Sequence, residues 1–202
     1  MAKTVDYYLS LVSPWTYLGS KRLKRIVEAK GATLRVKPVS LAMIFPESGG
    51  LPLPKRAPQR QAYRLVELER WSEFLGEPVT LHPAHFPADE RLAAYCVIAT
   101  GDASEGGEAS EESYALSHAI LRAVWAEERN IADEETLKAI LGDCGLDASA
   151  ILSAAKDPQM EERYKALSKE ALEAGVFGSP SYVVEGEIFW GQDRLDFLER
   201  AL

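Results

Sequence analysis

Ser13 is the residue whose neighbours best equip it for chemistry. It follows a run from Val5 to Val12, rich in aromatic and branched residues, that reads as a strand. Pro14 comes next, the residue type favoured at the first position of a helix, and Ser is itself a favoured N-cap. A strand would therefore deliver one hydroxyl to a helix N-terminus, where unpaired N–H groups and the helix dipole favour an anion. The same hydroxyl could also do no more than cap the helix. Thiol–disulfide exchange needs a cysteine here, and residues 13–16 read Ser-Pro-Trp-Thr, which excludes it.

Other residues with chemical potential are scattered. Lys55, Arg56 and Arg60 form a basic cluster in an otherwise acidic chain, either a solvated loop or a rim that receives an anionic ligand. His82 and His85 have i, i+3 spacing but no third and fourth ligand nearby, so no metal site is expected. His118 reads as a helix-surface residue. Cys96 and Cys144 are far apart within apolar helical patterns, which suits buried small hydrophobes better than a redox pair. Asp193, after Gly191-Gln192, reads as an N-cap of the closing helix.

These residues need elements to position them. Trp15, Leu18, Leu23, Ile26 and Val27 fall at helical spacing, with Lys21, Arg22, Lys24 and Arg25 opposite and Gly31 as the stop. Leu34, Val36 and Val39 mark a second strand between Ala32 and Leu41, parallel to the first across this helix. From Phe45, Pro46, Gly49, Gly50, Pro52, Pro54 and Pro58 predict an irregular loop. A helix with apolar residues Tyr63, Val66, Trp71, Phe74 and Leu75 follows, ended by Gly76 and Pro78. Further helices are predicted around Leu92–Ile98, Tyr114–Trp125, Glu134–Leu141, Ala148–Ala155 and from Pro158 to Ala174. The segment Gly101 to Glu112 reads as an exposed turn or mobile loop. The chain closes with a strand over Val176–Val184, a Glu185-Gly186 turn, a strand Glu187–Trp190 and a short helix.

The fold class is therefore α/β: a βαβ unit and a ββα unit in thioredoxin-like order, joined by a large all-helical insertion. The expected division is residues 1–44 for the first part, 45–174 for the insertion with its linking helix, and 175–202 for the second part. With 202 residues the chain can bury a sizeable core. A net charge of −8 argues against nucleic acid or an anionic membrane surface as partner. No apolar run approaches a membrane span, and Met1-Ala2-Lys3-Thr4 shows no leader pattern, so a cytoplasmic location is expected.

Three motifs in this order, Ser13-Pro14-Trp15-Thr16-Tyr17-Leu18, Val176-Phe177-Gly178-Ser179-Pro180 and Phe189-Trp190-Gly191-Gln192-Asp193-Arg194-Leu195, resemble the 2-hydroxychromene-2-carboxylate isomerases. These are relatives of kappa-class glutathione transferases within the DsbA-like group, and the resemblance covers essentially the whole chain. It implies glutathione as cofactor, with Ser13 as the catalytic residue that hydrogen-bonds the glutathione sulfur and stabilises its thiolate. It implies a cis bond before Pro180, a backbone pairing of Ser179 with the cysteinyl part, and a loop of Trp190, Gly191, Gln192 and Asp193 that holds the γ-glutamyl end. Gln192 stands where Asn is usual, Ser179 where Val or Ile is usual, and Ser10 where Asp is frequent. Lys55 and His85 are expected on the substrate side. The implied activity is glutathione-dependent cis–trans isomerisation of a small aromatic-pathway substrate by reversible thiolate addition, in a homodimer. A kappa-like transferase and a non-catalytic thioredoxin-fold binding module are the alternatives.

Overall fold

The computed structural model describes residues 2–202. Strand β1 (Thr4–Leu9) leads into helix α1 (Pro14–Lys30) and returns as β2 (Thr33–Pro38), parallel to β1 with Tyr7 opposite Val36. At the far end of the chain, β3 (Ser181–Val184) runs antiparallel to β1 with Tyr182 opposite Tyr7, and β4 (Glu187–Trp190) folds back on β3. The sheet order is β2-β1-β3-β4. The two ends of the sequence thus meet at the centre of one sheet, which brings Ser13 and Ser179 together.

Strand β1 is central: Val5, Tyr7 and Leu9 on one face are fully buried, Tyr8 on the other is buried as well, and Asp6 on that same face is partly exposed and pairs with Arg35. Helix α1 buries Leu18, Leu23, Ile26 and Val27 and ends at Gly31, whose φ of +60° turns the chain so that the Ala32 N–H reaches the Val27 carbonyl. Between the sheet halves stand α2 (Leu41–Ser48), α3 (Pro58–Leu75), α4 (Arg91–Ala103), α5 (Glu111–Trp125), α6 (Glu134–Asp143), α7 (Ala148–Ala155) and α8 (Gln159–Glu173); α9 (Leu195–Ala201) closes the chain. Leu116, Ile120, Leu121, Val124 and Trp125 of α5 are each at most 1 % exposed. Burial on that scale is worth about 1.5–3 kcal/mol per large side chain. No helix among the described residues is long and apolar enough to cross a membrane.

The local expectations fail in five places, one of them the strand expected over Val176–Val184, which begins only at Ser181, after Pro180. The stretch from Phe45 is not wholly irregular: α2 runs from Leu41 through Pro46, because Ile44 is fully buried and holds the turn in place despite the lost N–H. It also straddles the expected boundary between residues 44 and 45. In α3, Tyr63, Val66 and Phe74 face solvent, and only Leu68 of that helix is buried. The 101–112 segment is more ordered than expected, since α4 continues to Ala103 and a buried Ser110 caps α5. His118 is not on the surface but half-buried between Tyr17 and Tyr114, paired with Ser20 Oγ at 2.6 Å.

Candidate functional site

Ser13 sits in extended backbone (φ −81°, ψ 121°) at the turn from β1 into α1, and its Oγ accepts the Thr16 N–H at 3.2 Å. That is the cap its sequence position foretells. The same Oγ donates to the Ser179 carbonyl at 3.3 Å, long for a hydroxyl bond, for which 2.7–2.8 Å is typical. Ser13 is buried but borders a cavity. The Thr16 N–H orients the oxygen, while its proton is weakly engaged and free to turn to a better acceptor.

Ser179 precedes Pro180 through a cis peptide bond, as the motif implied. Its side chain does more than the sequence suggested: Oγ accepts the Ser10 N–H at 2.8 Å and lies 2.9 Å from Thr16 Oγ1. Ser179 therefore ties the end of β1 and the first turn of α1 to the start of β3. Pro180 is buried, and its carbonyl accepts the Gly191 N–H at 2.9 Å, which anchors the loop after β4.

On the opposite side, the turn is held by Glu90 at the start of α4. Its carboxylate accepts from Ser10 Oγ at 2.9 and 3.0 Å, from Leu11 N–H at 2.5 Å and from Val12 N–H at 3.3 Å. Burial disfavours the charged form, and although these donors favour it, burial dominates and pushes the carboxyl up to about 7. A carboxylate thus reaches Ser10 from a distant helix.

Two adjoining cavities meet at the site. The first, of about 510 Å³, runs between α3 and the loop 190–194; the second, of about 410 Å³, is bordered by Ser13 and by Phe45, Phe86 and Phe177. Trp15, Arg56, Arg60, Arg64, Ser179 and Trp190 line both, forming the boundary between them. Neither Arg56, Arg60 nor Arg64 has a carboxylate partner among the described residues. Arg64 lies 5.5 Å from the ring centres of Phe86 and Trp125, and burial lowers its guanidinium to about 10, still protonated at neutral pH. Three unpaired cations in a chain of net charge −8 make this boundary receptive to anions.

Lys55 and His85 do not join them. Both are exposed and line neither cavity; their neighbours Arg56 and Phe86 do so instead. The short turns that carry them fix which of two adjacent side chains faces inward, which composition does not encode.

In the loop after β4, Trp190 is half-exposed, packs on Phe177 with ring centres 4.9 Å apart and borders both cavities. Gly178 allows this approach, since a Cβ there would stand 2.5 Å from Trp190 Nε1. Gly191 has φ +99°, a conformation suited to glycine, and Asp193 Oδ1 closes over it. Gln192 is buried with its Oε1 unpartnered among the described residues. Asp193 does not cap the closing helix: a 3₁₀ turn over Gln192–Arg194 intervenes, and the carboxylate pairs with Arg194 at 2.7 Å on the cavity wall.

Sequence reasoning missed Glu90, Arg64 and the side chain of Ser179. Arg64 left a trace, because Arg56, Arg60 and Arg64 recur every four residues, the spacing of one helix face. Glu90, within Ala88-Asp89-Glu90-Arg91, carried no signal beyond that of a helix start.

The family profile described as DSBA-like thioredoxin domain matches residues 4–202. The chain is 31 % identical to the 2-hydroxychromene-2-carboxylate isomerase of Pseudomonas putida over 98 % of its length and 93 % of the relative's. It is 24 % identical to glutathione S-transferase kappa 1 of Homo sapiens, covering 100 % of this chain and 92 % of that one. The solved structure of a selenomethionine 2-hydroxychromene-2-carboxylate isomerase superposes with a TM-score of 0.82 at 28 % identity, over 98 % of this chain and 93 % of that one.

Proposed function

This chain belongs to the DSBA-like thioredoxin family and, within it, to the 2-hydroxychromene-2-carboxylate isomerases, and from that premise we propose a glutathione-dependent isomerase of small anionic aromatic substrates. The observation that carries the reading is the Ser13 hydroxyl at the N-terminus of α1, held by Thr16 N–H and bordering a cavity.

The charges around the boundary fit the cofactor. Glutathione carries one ammonium and two carboxylates; Asp193 offers a carboxylate in the first cavity, and Arg56, Arg60 and Arg64 offer cations. Trp190, Gly191, Gln192 and Asp193 would hold the γ-glutamyl end, and the Ser179 and Pro180 backbone the cysteinyl part. When bound, glutathione supplies a thiolate that adds reversibly to an unsaturated carbonyl, leaving a single bond free to rotate before elimination. Ser13 would turn its proton from the Ser179 carbonyl to the sulfur, and the N–H groups of the first turn of α1 would favour the anion. Phe45, Phe86 and Phe177 would pack on a planar substrate in the second cavity while the arginines take its negative charge.

The similarity to a kappa-class transferase supports a second reading, in which addition is not followed by return of glutathione. The test is a glutathione titration followed by ultraviolet difference absorbance at the thiolate band, on wild type and Ser13→Ala. A saturable thiolate signal lost in the variant supports the isomerase and the transferase alike, and product analysis then separates them. No binding in either protein removes both and leaves a thioredoxin-fold binding module.

A further inference from the structure

We propose that Glu90 is a positioning residue for Ser13: its ionised carboxylate clamps the turn of residues 10–12 and so sets where the Ser13 hydroxyl meets a bound thiol. The clamp's effect on binding rests on the glutathione reading; its effect on the turn does not.

The geometry is specific. Glu90 engages three consecutive residues, two through backbone N–H groups and one through a hydroxyl, and Ser13 follows the last of them. Among the described residues the turn has two other ties on this side of the fold. Ser10 N–H donates to Ser179 Oγ, and the Ser10 carbonyl accepts the Ser13 N–H at 3.2 Å. Oε2 alone accepts from Ser10, Leu11 and Val12, so the clamp's strength depends on the charge of that oxygen.

Its ionisable surroundings are few. Asp89 precedes it and opposes its ionisation, and Arg91 is committed to Asp89. From α8, Tyr164 faces it with a phenol that burial keeps protonated. The turn itself contributes no charged side chain to the clamp. The Glu90 carboxyl accepts from three consecutive residues of the turn, and burial holds its proton to about neutral pH. Protonation would replace charge-assisted acceptors by neutral ones and loosen the turn, moving Ser13 without breaking the fold.

The test follows the Leu11 and Val12 amide protons by NMR from pH 5.5 to 8.5 in wild type, Glu90→Gln and Glu90→Asp. S-methylglutathione, whose sulfur does not titrate, is bound calorimetrically to the same proteins across the same range. The clamp predicts a Leu11 amide titration with a midpoint near neutral pH, absent in Glu90→Gln and restored in Glu90→Asp. Affinity should fall at least threefold on the acid side of that midpoint in wild type and be flat in Glu90→Gln. Amides that do not titrate, or that titrate unchanged in Glu90→Gln, overturn the proposal, as does tighter binding at acid pH. Should the ligand fail to bind wild type at any pH while the Leu11 amide titrates as described, the clamp stands and the glutathione reading falls. Glu90→Asp keeps the test open if Glu90→Gln does not fold.

Discussion

The Ser13 hydroxyl and the Ser179 carbonyl face each other at 3.3 Å although 165 residues separate them in the chain between positions 13 and 179. The contact is weak for its type, and on the proposed glutathione reading that weakness would have a use. Ser13 is already oriented by Thr16 N–H, so a thiol arriving beside Ser179 need only recruit a proton that is poorly held.

Ser13→Ala removes that proton and the cap together. Stability should fall by about 1–2 kcal/mol, the usual loss for a cap, while the thiolate signal and activity largely disappear. Denaturant titration beside the absorbance assay checks both; an active Ser13→Ala enzyme would refute the catalytic role.

Ser179→Ala should behave differently. It leaves the Ser13 contact, which uses the Ser179 backbone, but strips the Ser10 N–H of its acceptor. An unsatisfied buried donor costs about 1–3 kcal/mol. The expected result is a clear loss of stability with a larger rise in KM for glutathione than fall in kcat. Thermal unfolding and steady-state kinetics measure these.

Arg60→Ala tests the anion boundary with little structural cost, since Arg60 is exposed and pairs with no carboxylate among the described residues. Its stability should stay within about 0.5 kcal/mol of wild type. KM for an anionic ligand should rise roughly 5–10-fold, the loss of about 1–1.4 kcal/mol. An uncharged ester of the same ligand should feel almost nothing. Arg64→Ala, by contrast, should also destabilise, because Arg64 covers Phe86 and Trp125.

Gly178→Ala drives a methyl group toward Trp190 Nε1. The indole is half-exposed and able to swing away, so folding should change by less than about 1 kcal/mol. The Trp190 indole NMR signal should shift and glutathione affinity drop. An unshifted signal would show that the ring does not rest on Gly178.

Glu90 should leave a mark on stability. Its carboxyl is raised from 4.5 to about 7 in the folded protein, so the native state holds the proton more tightly than the unfolded chain. The stability this contributes is full below about pH 4.5 and lost as pH rises through about 7. From pH 5 to pH 8, wild type should lose roughly 2–3 kcal/mol relative to Glu90→Gln. Urea unfolding at the two pH values reads the difference directly.

Much of this was written locally. The Ser13-Pro14 helix start, the Gly31 stop and the Glu185-Gly186 turn obey rules that act over a few residues, and each stands where its residues predict. Hydrophobic periodicity likewise marked α5 and both halves of the sheet. It overreached in α3, where Tyr63, Val66 and Phe74 keep the helical spacing of a core face yet meet solvent, because spacing defines a face but not what packs on it.

What the sequence by itself determined was which short segments become strand, helix or turn, and that one hydroxyl would stand at a helix N-terminus. Only the tertiary structure decided what surrounds that hydroxyl. Antiparallel pairing of β3 with β1 brings Ser179 to Ser13, and the packing of α4 delivers the Glu90 carboxylate to residues 10–12. Arg56 and Phe86 line the cavity while their neighbours Lys55 and His85 face solvent. The physical reason is range: caps and turns are fixed by bonds between near neighbours, whereas a carboxylate's partners and its proton affinity depend on the remote segments that exclude water from it.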